Sequence, residues 1–387
     1  MKIALLNPTF LMRRPIAELA RLLANHGHKV TVIWPMDRQQ SQTNQRHFDK
    51  LLKDTPGITI LPIWSKEIKA ILWSYPTDFS LFKKIYQVGK THDLMQVWAP
   101  FYILPLLPFI MKRFGLLRTG LIGVYDTIPS YSFSMGKITD KLFRIFFALF
   151  TRPFLNVANR TAVYSPLLTS YAVKAGFSGD RIAVLPTGVD VEVKPATEDI
   201  RKELSIPKER PIILFIGLLN KRKGVYRILT VAENLRQRNI DAQIVMVGQG
   251  PEAEEIEKQI VERGLAEMVI MLGHRKDVPN FYHAAQCFFL PADGEGLPGV
   301  VMEAMSYGRA VVASDIPCIP DLIKQGQSGF LHPAHDTEAF TTSIIRILTD
   351  TTLRKAMEKR ALQEIAGWSW NKRYPLYEQL YSEVISV

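Results

Sequence analysis

A chain of 387 residues has room for two domains of ordinary size, each able to bury its own core. Its 47% hydrophobic and 22% charged residues exclude a disordered polypeptide, and its two cysteines, Cys287 and Cys318, form no CxxC pair, which argues against a disulfide framework or zinc cluster and fits a reducing compartment. The net charge of +11 is uneven: residues 1–190 hold 24 Lys and Arg against 11 Asp and Glu, a balance of +13, while the remainder balances at −2. An anionic membrane or an acidic ligand would favour such a first half, and simple solubility accounts for it equally well.

Met1-Lys2-Ile3-Ala4-Leu5-Leu6 is a short apolar run ended by Asn7-Pro8, without the long apolar core and small-residue cleavage site of a secretory signal. It predicts a first buried strand and a cytoplasmic protein. Further strands are predicted at Val30–Trp34, Ile58–Ile63, Leu94–Trp98, Leu121–Tyr125 and Thr161–Tyr164, with helical stretches such as Ile16–His26 between them. The longest apolar run, Val97 to Met111, carries Pro100, Pro105 and Pro108 and falls short of the roughly 20 residues a bilayer span needs.

Pro186-Thr187-Gly188-Val189-Asp190 is a turn-rich break, after which the alternation restarts. Strands are predicted at Ile212–Ile216, Ala242–Val247, Val269–Met271, Cys287–Leu290, Ala310–Ala313 and Gly329–Leu331. Helices are predicted at Gly224–Arg238, Pro251–Arg263, Val278–Ala285, Gly299–Tyr307 and Ile319–Gln325. Strand–helix alternation of this kind means parallel sheets with helices on both faces. The expected architecture is α/β: two Rossmann-like, doubly wound domains facing a cleft, 1–190 and 191–367. An aromatic helix at 368–387, bearing Trp368, Trp370, Tyr374, Tyr377 and Tyr381, is expected to cross back to the first domain.

In open α/β sheets, ligands bind at the carboxyl ends of strands. Two segments in that position carry chemistry. Phe215-Ile216-Gly217-Leu218-Leu219-Asn220-Lys221-Arg222-Lys223-Gly224 leads from a strand through a glycine turn into three cations and a helix start, a combination suited to a diphosphate. Taken alone, such basic loop residues are more often merely solvated. The second segment runs from Leu290 to Met305. Glu295 sits in its glycine-rich loop, placed to reach a sugar, and Glu303 lies eight positions on in the next helix, placed to accept hydrogen bonds from ribose hydroxyls. Either glutamate alone would read as a surface charge; the glycines and the spacing together weaken that reading.

These segments resemble the family 4 retaining glycosyltransferases, which have the GT-B fold. The Glu295 to Glu303 pair matches the family's E-x7-E pattern, Lys223-Gly224 its phosphate loop, and Val247-Gly248-Gln249-Gly250-Pro251 its VGxGP turn. Phe281-Tyr282-His283-Ala284-Ala285, Pro317 to Ile323 and Gly326 to Phe330 fit as well, and Leu185-Pro186-Thr187-Gly188-Val189-Asp190 resembles the PNGVD hinge. The resemblance implies a hexosyltransferase-type enzyme whose second domain holds a nucleotide-diphosphate sugar. Lys223 would pair with the diphosphate, helped by Arg222. Glu303 would hold the ribose and Glu295 the donor sugar. Gly217, Gly296, Leu297, Gly299 and Val300 would line the donor, and the base would lie by the Gly273-His274-Arg275 turn. Cations and helix ends would meet the phosphate charge, so neither a metal nor a cofactor is implied.

The sequence departs from the family pattern at Leu218, where Arg is usual, and at Tyr125-Asp126, where His-Asp is common; these two residues are the candidate first-domain site. The mechanism implied is departure of the diphosphate from the anomeric carbon, with electrostatic stabilisation of the leaving oxygen and attack by the acceptor from the same face. The acceptor is expected on the basic first domain. It could be a lipid-linked oligosaccharide, a surface polysaccharide intermediate or a small molecule. Lys141 to Arg152 and Trp98 to Met111 mix aromatic and apolar residues, with cations in the former. They are either buried helices with snorkelling arginines or segments that meet the inner face of an anionic membrane. A dinucleotide-dependent oxidoreductase would need G-x-G-x-x-G after a first strand, which is missing at both candidate turns. No nucleic-acid-binding module is recognisable. A catalytically weakened family member that binds nucleotide sugar in a regulatory role is an alternative, on the strength of Leu218 and Tyr125.

Overall fold

The computed structural model describes residues 1–36, 50–68, 73–100, 103–134 and 136–386. It divides into two compact units, Met1–Thr187 with Arg373–Val387, and Gly188–Lys372.

The first unit is built on β1 (Lys2–Leu6), β2 (Lys29–Met36), β3 (Ile58–Ile68), β4 (Trp73–Pro76), β5 (Leu94–Trp98), β6 (Gly120–Tyr125), β7 (Arg160–Val163) and β8 (Ile182–Val184). They form one sheet in the order β4-β3-β2-β1-β5-β6-β7-β8, parallel except for the antiparallel edge pair β3–β4. The central strands are almost wholly apolar because helices cover both faces: every residue of Leu94–Trp98 is buried, Gln96 being its one polar side chain. The edge strands β4 and β8 were not expected. β8 is three residues long and only partly buried, so it lacks the apolar run that marks an inner strand.

The run Val97 to Met111 divides into β5, a connection and helix Ile103–Arg113; Phe101 and Tyr102 lie outside the described residues. Leu104, Phe109 and Met111 are at most 1% exposed. Of the two readings the sequence left open, these described residues take the first: they are core. Among the described residues, no helix is long and apolar enough to cross one. Helix Trp370–Ile385 spans the division between the units. Tyr377 and Tyr381 are buried in the first unit, where their hydroxyls donate to the Pro186 carbonyl (3.3 Å) and Gln96 Oε1 (2.5 Å).

The second unit is built on β9 (Ile212–Ile216), β10 (Gln243–Val247), β11 (Val269–Met271), β12 (Cys287–Leu290), β13 (Ala310–Ser314) and β14 (Gly329–His332), in the order β11-β10-β9-β12-β13-β14. All its strand pairs are parallel. The order reverses between β9 and β12. That is the switch point where the connections leaving two neighbouring strands diverge and open a crevice. The helix expected over Ile319–Gln325 closes after Leu322, because Ile323 turns extended and the Ser328 hydroxyl takes up the Lys324 N–H at 2.9 Å.

Candidate functional site

The two chemistry-bearing segments leave the sheet side by side, after β9 and after β12. In the first, the Asn220 side chain accepts the Lys223 N–H at 3.0 Å and caps the short turn Lys221–Lys223. Gly224 then takes φ +69° ahead of helix Val225–Gln237, and a Cβ on it would meet the Pro291 carbonyl oxygen at 1.8 Å. Only glycine allows the loop after β9 to lie this close to the loop after β12. The two loops are also tied by Asp293 N–H to the Arg222 carbonyl (2.8 Å) and by Arg227 to the Pro291 carbonyl (2.9 Å) and the Asp293 carboxylate (2.6 Å).

This clamp brings together side chains some 70 positions apart. Glu295, 8% exposed, lies 3.0 Å from Lys223 Nζ and 3.2 Å from Arg222. Arg222 also donates to the Gly294 carbonyl. The Lys223 side chain runs across Gly217, where its Cε and Nζ would lie 3.5 and 3.7 Å from an added Cβ. Two cations thus share one carboxylate in a largely enclosed place, which leaves a surplus positive charge at the carboxyl edge. A carboxylate held this way is costly to strip of its partners, and an anion entering beside it finds two donors already oriented.

The turn after β10 completes the floor. Gly248, at φ +147°, sits where a Cβ would be 1.9 Å from the Gly217 carbonyl oxygen, and its N–H donates to the Gly273 carbonyl at 2.7 Å. The loops after β9, β10 and β11 are therefore contiguous, from Gly217 through Gly248 to Gly273. His274 follows and is exposed. Arg275 is committed elsewhere. It makes paired bonds to Glu203 (2.5 and 3.0 Å) and Asp277 (2.8 and 2.7 Å), and its guanidinium lies 5.2 Å from the Phe281 ring centroid. These two carboxylates raise its pKa further above its ordinary value. What Arg275 supplies near the turn is the position of the loop, because four of its five N–H donors are already used.

Past Glu295, Gly296 is half-buried, Leu297 is 9% exposed, Pro298 is the N-cap, and helix Gly299–Ser306 begins with Gly299 exposed and nothing within 4 Å of an added Cβ. The first N–H groups of this helix are open to an incoming anion. Glu303 stands on the same helix and accepts a hydrogen bond from the Tyr282 hydroxyl at 3.0 Å, which also lies 3.2 Å from the Val300 carbonyl oxygen. Tyr282 stacks on Tyr307, with centroids 5.1 Å apart. No local pattern in the chain assigns a role to Tyr282 or Asn220. The available signal for Asn220 was an Asx residue opening a turn; for Tyr282 it was an aromatic inside an otherwise apolar motif.

In the first unit, Tyr125 and Asp126 part company. Tyr125 is wholly buried, edge-on to Phe177 with centroids 4.7 Å apart, and burial pushes its phenol well above its ordinary pKa. Asp126 stays half-buried and pairs with Arg13 at 2.7 Å, joining the loop after β6 to the loop after β1. The departure at Leu218 is on the surface, 44% exposed.

Comparison with known proteins agrees with this geometry. The model described as "Glycosyl transferases group 1" matches residues 196–364, and that described as "Glycosyltransferase Family 4" matches residues 12–193. A D-inositol 3-phosphate glycosyltransferase of Corynebacterium urealyticum is 31% identical over 215 residues, 52% of this chain and 51% of that protein. A UDP-Gal:alpha-D-GlcNAc-diphosphoundecaprenol alpha-1,3-galactosyltransferase of Escherichia coli is 28% identical over 213 residues, 53% and 55% of the two chains. The chain thus spans about half the length of the curated relatives it matches. Among solved structures, the Anabaena protein HepE in complex with UDP-glucose superposes with a TM-score of 0.79 at 18% identity, over 100% of this chain and 99% of that one, a likeness of fold. With both halves matched in order and the whole chain sharing the fold, this chain belongs to the group 1, family 4 glycosyltransferases of the GT-B fold.

Proposed function

We propose that the chain is a retaining glycosyltransferase that moves a sugar from a nucleotide-diphosphate sugar to an acceptor, in surface polysaccharide or glycolipid assembly. The observation that carries this reading is the cluster of Lys223, Arg222 and Glu295 at the switch point of the second sheet. In this scheme the diphosphate enters beside Glu295 and takes up Lys223 and Arg222, together with the open N–H groups of Gly299 and Val300. Glu303, oriented by Tyr282, accepts from the ribose hydroxyls, and Gly217, Gly296 and Leu297 line the donor. Glu295, released from part of its ion pair, accepts from hydroxyls of the sugar. His274 flanks the base, while Arg275 holds that loop in place.

As the bond from the anomeric carbon to the diphosphate oxygen lengthens, negative charge grows on the oxygen. Lys223 and the helix N–H groups meet it without rearrangement, which is how a preorganised site lowers a barrier. The acceptor attacks the face the diphosphate leaves and passes its proton to the departing phosphate oxygen. UDP-glucose in HepE and the UDP-galactose donor and lipid diphosphate acceptor in the name of the E. coli relative support a UDP-sugar and a lipid-borne acceptor here. Contact with the inner face of an anionic membrane would follow from such an acceptor.

A second reading, binding without transfer, is favoured by Leu218 on the surface and Tyr125 enclosed in the core. One experiment addresses both. A panel of nucleotide sugars is screened for thermal stabilisation of the chain, and those that stabilise it are followed for release of nucleoside diphosphate with and without candidate acceptors. Stabilisation with release supports the transferase; stabilisation alone supports the binder; neither, across UDP-, GDP-, ADP- and TDP-sugars, removes both.

A further inference from the structure

The segment from Lys137 to Leu155 runs as helix Lys137–Phe146, a wider turn Phe147–Thr151 and a last helical turn Arg152–Leu155. Helix Lys137–Phe146 buries none of its residues. Its apolar residues nonetheless form a stripe: Ile138 is 78% exposed, Leu142 63%, Ile145 48% and Leu149 64%, at successive steps of four, three and four positions. That spacing places them on one face of a helix. Phe146, 44% exposed, widens the stripe.

The opposite side is already anchored. Phe147 is 1% exposed, stacks with Phe143 at 6.0 Å between centroids, and meets Tyr131 and Phe177. Arg144 donates to the Ser130 carbonyl at 3.0 Å and lies over the Tyr131 ring at 5.1 Å. The core is therefore satisfied by residues other than the stripe. An ordinary surface helix turns its apolar stripe inward; this one turns it out, which marks a face that meets something apolar.

Charge indicates what that is. Residues 137–152 hold Lys137, Lys141, Arg144 and Arg152 against Asp140 alone, whose carboxylate already accepts the Ser134 hydroxyl at 2.6 Å. The half-chain around them carries +13. On a helical wheel, Lys137 and Lys141 flank the stripe on one side. Two copies meeting through this face would bring like charges together, whereas anionic headgroups would neutralise them while the stripe enters the acyl boundary. We propose that the outward face of the helix Lys137–Phe146, with Leu149, is a membrane-docking element that lies in the plane of an anionic lipid surface. This deepens the membrane part of the proposed function and rests on that part only; it needs neither donor nor transfer.

The test is flotation of the full chain with phosphatidylcholine vesicles, with and without phosphatidylglycerol, alongside UDP binding by thermal shift. The chain is expected to float with the anionic vesicles and to be released from them at about 0.5 M salt. Ile138→Ser with Leu142→Ser should lower the partition by about tenfold or more without shifting the melting temperature or the UDP response, since both side chains are exposed. Lys137→Ser with Lys141→Ser should lower it less. The proposal is overturned if the wild-type chain stays with the unfloated fraction, or if the Ile138/Leu142 variant floats like the wild type. It is also overturned if light scattering shows a dimer that Leu142→Glu dissolves while flotation is absent, which would assign the face to a second copy. A loss of UDP response with flotation intact would strike the donor site and leave this proposal standing.

Discussion

The two units are built on the same plan and put it to opposite uses. In the second, six parallel strands reverse order between β9 and β12, and the loops leaving those strands are locked together by Gly224 against Pro291 and by Arg227 on Asp293. In the first, the order reverses between β1 and β5, and the loop after β6 reaches the loop after β1 through the half-exposed pair of Arg13 and Asp126. The second unit collects charge inward, around Glu295. The first carries the excess of positive charge and adds, among its described residues, an exposed apolar stripe on helix Lys137–Phe146. A shared topology fixes where loops emerge; side-chain chemistry decides what gathers there.

Breaking the cluster in the second unit should have the largest effect. Lys223→Ala removes the cation nearest Glu295 and the proposed partner of the leaving oxygen. Turnover in a donor-release assay is expected to fall by about a hundredfold or more, the scale of losing one preorganised electrostatic contact. Glu303→Ala should cost roughly tenfold or more in donor affinity, measured by competition with UDP, because the charged acceptor proposed for the ribose is lost. Tyr282→Phe should cost less, since it only frees the carboxylate to turn. Glu295→Gln separates sugar from diphosphate: UDP binding should hold or tighten as the cations are relieved of their carboxylate, while transfer falls. If UDP binding fell as much as with Lys223→Ala, Glu295 would be part of the phosphate site instead.

Stability sharpens the same contrast. Gly224→Ala forces a Cβ into a carbonyl oxygen at a left-handed φ and should destabilise the second unit by about 2 kcal/mol or more in denaturant unfolding. Exposed changes on the first unit's stripe should leave it within about 0.5 kcal/mol. The smallest effect concerns pH. Burial lowers His332 in the second unit and His92 in the first below the ordinary 6.5, with Asp336 and the Val88 carbonyl respectively opposing it. Below pH 6.5 the unfolded chain takes up protons that the folded rings resist. Stability from these groups is therefore present above that pH and lost as pH falls through it. Melting temperature should drop modestly from pH 7.5 to 5.5, and His332→Asn should flatten part of that drop.

The sequence revealed the buried strands because a strand covered on both faces is almost wholly apolar, as Cys287–Leu290 is and as Leu94–Trp98 is apart from Gln96, whose side chain the Tyr381 hydroxyl meets. It did not reveal β4 and β8, edge strands without that demand. Glu295, Glu303 and Lys223 stood out through glycines and spacing, which are local features. Their partners did not: the 72-residue reach from Lys223 to Glu295, and from Glu203 to Arg275, exists only once the sheet has assembled. That is why Arg275, placed beside the base by its position in the chain, emerges as a loop brace. Nor does sequence show which way a strand's last side chain turns, and Tyr125 turns into the core.

The most direct test is calorimetric titration of UDP into the wild-type chain, Lys223→Ala, and Ile138→Ser with Leu142→Ser. Measurable binding to the wild type is expected, with the same affinity in the stripe variant and an affinity at least about tenfold weaker in Lys223→Ala, measured at a temperature where that variant is still folded. Equal UDP affinity in Lys223→Ala and the wild type would contradict a diphosphate site at the junction of β9 and β12.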